Sequence, residues 1–73
     1  MTGAIDKREM RADEFRGLAL SAAALAEASP PGNVREKHAQ AAAVWAKLAD
    51  GEESRAAASR LAQARALARR APA

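Results

Sequence analysis

The feature that most constrains this chain is Ser29-Pro30-Pro31-Gly32. Consecutive prolines lack amide donors and push the residues before them out of helical geometry, so no helix crosses this point. On both sides the sequence is rich in helix formers, chiefly Ala, Leu, Arg and Glu. No β-branched cluster and no apolar–polar alternation marks a strand. A short turn between two helices makes them antiparallel neighbours, so the reading is all-α, built on an antiparallel helical hairpin.

Start and stop signals set the elements. Asp6-Lys7-Arg8-Glu9 has the form of a capping box, with Asp6 as N-cap and Glu9 reaching back. It predicts a first helix over about 6–28. Asn33-Val34-Arg35-Glu36 is a second start of the same kind, for a helix over about 34–49. Gly51 suits the left-handed residue that ends a helix, and Asp50 with Glu53 can cap a third, Ala/Arg-rich helix over about 52–70; this is the weakest of the three breaks, and with the helix formers Glu52 and Glu53 the second helix could instead run on with a kink. The expectation is one domain, 1–73, of hairpin plus third helix, with 1–5 and 71–73 disordered.

Helical spacing names the packing positions. In the first helix Phe15, Leu18, Ala22 and Leu25 share a face. In the second, Val34, His38, Ala41, Trp45 and Leu48 do. In the third, Ala57, Leu61, Ala64, Ala68 and Ala71 form a narrow stripe with Arg55, Arg65, Arg69 and Arg70 opposite. Phe15, Leu18 and Leu25 are therefore expected to meet Trp45, Leu48 and Val34 across the seam.

Composition decides whether that seam suffices. Hydrophobic residues make up 49% of the 73, but alanine supplies most of them, and it buries little area. A chain this short buries only about 60% of its unfolded surface and is marginal alone. It needs a disulfide, a metal or a partner. There is no cysteine, and His38 is the one histidine, too few donors for a structural zinc site. Oligomerisation remains, and a homodimer of hairpins forming a four-helix bundle, or a helical protein partner, is expected.

With the hairpin placed, its residues match a family pattern. The first arm has Arg8, then Arg11-Ala12-Asp13-Glu14-Phe15-Arg16-Gly17-Leu18-Ala19. After the proline turn come Arg35, His38, Ala42, Trp45, Leu48-Ala49 and Glu53. This resembles short alphaproteobacterial helical-hairpin proteins with R-x-x-A-x-E-x-R-x-L-A in the first helix and R-x-x-Y-x-x-x-A-x-x-W-x-x-L-A in the second. The match covers about residues 8–53. His38 replaces the usual Tyr, and the first helix is about a turn longer. The resemblance implies a helical hairpin of bacterial, cytoplasmic origin and carries no activity, cofactor or partner. Trp45-x-x-Leu48-Ala49 also opens like a tetratricopeptide unit, but the later aromatic positions fall on Glu52 and Arg65, and no second copy follows.

Candidate chemistry is sparse. His38 lies two turns from Trp45 on the inner stripe, where a hydrogen-bonded seam residue is the simpler reading than a base or phosphoacceptor. Trp45 is simplest as the largest core residue, or an interface anchor. Glu14 is expected to lock the hairpin through Arg35 or the neighbourhood of His38. No catalytic group, metal, cofactor or small-molecule substrate is expected.

The net charge is +3 and the pI near 10.2, and the basic excess lies in the C-terminal segment. Arg55, Arg65, Arg69 and Arg70 are possible nucleic-acid contacts, against a solvated face as the plainer alternative. No recognition motif or aromatic stacking platform accompanies them. The longest apolar run, Leu18 to Ala26, is too short to span a bilayer, and acidic residues precede it where a signal peptide is basic. A membrane-surface helix would want larger apolar residues than the alanines here. The cytoplasm is the expected compartment.

Overall fold

The computed structural model describes residues 3–70. It holds two helices, α1 (Gly3–Ala28) and α2 (Asn33–Arg70), and no strand among those residues. The chain is all-α, but the third helix is not separate. It is the second half of α2, which runs 38 residues without interruption.

Each end of the turn has its own closure. The Ser29 amide donates to the Ala26 carbonyl at 3.2 Å, and its Oγ donates to the Leu25 carbonyl at 2.7 Å. Both satisfy acceptors that a helix leaves open at its C-terminus. Gly32 then takes a φ of +132°, which side-chain-bearing residues rarely adopt. Its carbonyl accepts from the Glu36 amide at 3.1 Å, so Gly32, not Asn33, precedes the first turn of α2.

The expected break at Asp50-Gly51 fails for an identifiable reason. Arg16 of α1 donates to Asp50 at 2.9 Å and also to Glu53. The two carboxylates proposed as caps are drawn across the hairpin instead. Gly51 stays helical, since the only positive φ among the described residues is at Gly32. The first helix also starts earlier than Asp6: residues 3–5 are helical, and Ile5 is buried. Of the ends expected to be disordered, 1–2 and 71–73 lie outside the described residues.

The two helices pack along a strict heptad seam. In α1 the inward residues are Ile5, Arg8, Ala12, Phe15, Ala19, Ala22 and Ala26, spaced alternately by three and four. In α2 they are His38, Ala42, Trp45, Ala49, Glu52, Ala56 and Ser59, spaced alternately by four and three. These are the a and d positions of a two-helix coiled coil. Register is pinned by Phe15 on Trp45, Arg8 on Glu52 and Arg35 on Ala26. It sets Ala12 opposite Ala49 and Ala19 opposite Ala42.

Half of that seam is alanine, and alanines are most of its buried residues. Ala49 is 0% exposed and Ala56 1%, whereas among the described residues no large side chain is fully buried. The helices close on small residues, so the hairpin is a rod of 64 × 15 × 12 Å. From the register, the last ten or so residues of α2 extend past the start of α1.

Candidate functional site

Phe15 and Trp45 meet as predicted. Their rings stack at 5.7 Å between centroids and 19° between planes, both half-buried. His38 is half-buried one heptad from Trp45. The other predicted seam residues are not there. Leu18, Leu25, Val34 and Leu48 are 44%, 53%, 56% and 43% exposed. The seam places beside Leu18, Leu25 and Leu48 are taken by Ala19, Ala26 and Ala49, and the place beside Val34 by Arg35.

The heptad shows where they went. Leu18 and Leu25 occupy g positions of α1, and Val34, Ala41 and Leu48 occupy g positions of α2. In an antiparallel pair the e positions of both helices line one flank and the g positions line the other. The e flank is identified by its ion pairs: Arg16 with Glu53, and Arg60 with Glu9. The g flank is therefore opposite, and its centre is apolar from Val34 to Leu48. Arg11 and Arg55 follow at its far end, away from the turn.

Charge is spent on holding this geometry. Arg60, by its hydrogen bond first and then its charge, lowers the Glu9 carboxyl below its ordinary value against a desolvation cost. Glu9 in turn raises Arg60, and Asp50 with Glu53 raises Arg16. Glu52, the one buried charged residue among the described residues, lies between Arg8 at 3.4 Å and Arg55 at 3.5 Å.

The expected Glu14–Arg35 lock is absent. Arg35 donates instead through Nε to the Ala26 and Ser29 carbonyls, both at 3.0 Å, and through Nη2 to Glu27 at 3.3 Å. A guanidinium thus closes the end of α1, a role its five-donor fork suits. Glu14 is exposed. The stripe expected on the third helix also faces outward: Ala57, Leu61, Ala64 and Ala68 are exposed, and Ala71 lies outside the described residues. Arg65, Arg69 and Arg70 are exposed, on the part of α2 that outruns α1.

Among the described residues no cluster of His, Asp and Glu could hold a metal ion. The concavities are open surface hollows, such as that at the turn between Ala26, Glu27, Arg35 and Ala39. No described helix is long and apolar enough to cross a membrane. Comparison with protein-family models, with curated proteins and with solved structures finds no match.

Proposed function

We propose that this chain works without catalysis, as a helical hairpin that docks its g flank on another helical surface. One observation carries the reading: alanines are most of the buried seam residues, while Leu18, Leu25, Val34 and Leu48 stand exposed together on one flank. An a/d stripe is all that a two-helix seam uses, whereas a, d and g together are the arc of a helix inside a larger bundle. Both arms carry the wider arc. A large contiguous apolar patch on a small protein marks an interaction surface.

The setting proposed is cytoplasmic, where a cysteine-free hairpin needs no disulfide. Kinship with the alphaproteobacterial hairpin proteins belongs to the same proposal, resting on the spacing of Arg35, Trp45 and Leu48-Ala49. Nucleic-acid binding has less behind it. Arg55 already faces Glu52, which reduces the candidate contacts to Arg65, Arg69 and Arg70.

The test is site-specific photo-crosslinking in the cell of origin. A photoreactive residue at Leu18 or Leu48 should give discrete adducts that the same residue at Ala24, on the outer face of α1, does not. Equal labelling from all three positions overturns the reading.

A further inference from the structure

We infer that the occupant of the g flank is a second copy of this chain, lying with its turn at the opposite end. The inference rests on the docking reading above and names its partner.

The first support is area. The chain exposes 5656 Å². A compact monomer of 7.6 kDa exposes about 4,300 Å². The excess, above 1,000 Å², exceeds the roughly 800 Å² that each partner buries in a standard interface. The radius of gyration agrees: 17.7 Å, against about 11 Å for a compact domain of this length.

The second support is self-complementarity. On α2 the flank reads Val34, Ala41, Leu48, a small residue centred between two large ones. On α1, Leu18 and Leu25 bracket the same level. A two-fold axis across the hairpin at Ala41 lays Val34 on Leu48 of the second copy and, by the register above, sets Leu18 beside the axis, about one helical turn from the second copy's Leu25. The two Ala41 residues meet at the axis, where small side chains let the α2 helices approach.

The third support is charge, and it chooses the direction. Arg11 and Arg55 both lie toward the end of the flank away from the turn and are exposed, Arg55 with Glu52 at 3.5 Å offsetting part of its charge. With turns at the same end, four guanidinium groups would gather in one place. With turns at opposite ends, each cationic pair has its own end of the bundle, and the repulsion is removed.

The test combines mass with distance in the full chain. Light scattering should give twice the 7.6 kDa chain mass across the micromolar range. Leu18→Glu with Leu48→Glu should return the single-chain mass, and Leu20→Glu, on the outer face, should leave the dimer intact. No native thiol interferes, so Ser54→Cys can carry a single spin label. Ser54 lies thirteen residues from Ala41, so labels in the proposed dimer should be about 40 Å apart at the helical rise. A distance of about 20 Å or less, one bundle width, means turns at the same end and overturns the arrangement. A monomer at every concentration overturns the second copy. In that case Leu18 adducts of another mass would leave the docking reading standing, and their absence would remove both.

Discussion

At the scale of single residues, this hairpin reverses the usual value of a side chain. Seam alanines matter more than exposed leucines, because helix approach is set by the smallest residue in each layer. Ala49, fully buried opposite Ala12, is the sharpest case. Ala49→Leu adds apolar volume where there is none to receive it, and overpacking of this kind costs about 1–3 kcal/mol. Urea denaturation should show a lower midpoint with unchanged slope. A midpoint at or above the parent's would mean that the seam is not closed as described. The same reversal explains what the sequence hid. Helical spacing found the apolar arc of each arm, and Phe15 and Trp45 within it, but it centred the arc on the large residues. The true seam lies about half a step toward the alanines. Alanine carries no signal that separates inner from outer positions, as Ala12 and Ala24 show. Only the seven-residue repeat through Ile5, Ala12, Ala19 and Ala26 could have revealed it.

At the scale of elements, the turn was legible and the length of α2 was not. Pro30-Pro31 acts on local backbone geometry, which a sequence displays directly. Asp50-Gly51 is the weaker local stop, followed by the helix formers Glu52 and Glu53, and its acids answer to Arg16, more than thirty residues away. The two glycines should therefore respond oppositely to alanine. At Gly51 the new Cβ would meet only the flexible Arg55 guanidinium, at 3.6 Å, inside a helix. Gly51→Ala should stabilise by about 0.5–1 kcal/mol. At Gly32 the backbone has a φ of +132°, and Gly32→Ala should cost about 1–3 kcal/mol. Thermal melts decide it, and a Gly51→Ala variant that melts lower would restore the helix break. The cross-links between elements give a pH dependence as well. Arg60 holds the Glu9 carboxyl below its unfolded value of 4.5, so the ionised form favours the folded chain. That contribution is present above the unfolded value and fades as the pH falls through the lower folded one. Glu9→Gln should lose stability at neutral pH and show a shallower loss on acidification. An acid limb as steep as the parent's would mean that the pair is not linked to folding.

At the scale of the whole molecule, the question is what keeps so thin a rod folded. Its seam buries alanines, and the few large apolar residues are mostly outside. Ion pairs such as Arg60–Glu9 and Arg16–Asp50 are exposed, and exposed pairs contribute little. A two-helix rod of this kind has no deep core to offset the entropy of ordering its chain. If the second copy covers the g flank, folding and association become one equilibrium, and stability then depends on chain concentration. The melting temperature of the parent should rise steadily with concentration. Leu18→Glu with Leu48→Glu should melt lower, at a temperature independent of concentration, because its flank no longer selects a partner. Ala49→Leu separates the two contributions, since it strains the seam inside one chain and leaves the flank unchanged. It should shift the whole curve down while keeping the parent's slope against concentration. Calorimetry over a hundredfold dilution reads all three. A flat parent curve would place the stability inside the single hairpin, against the physical argument for a second copy.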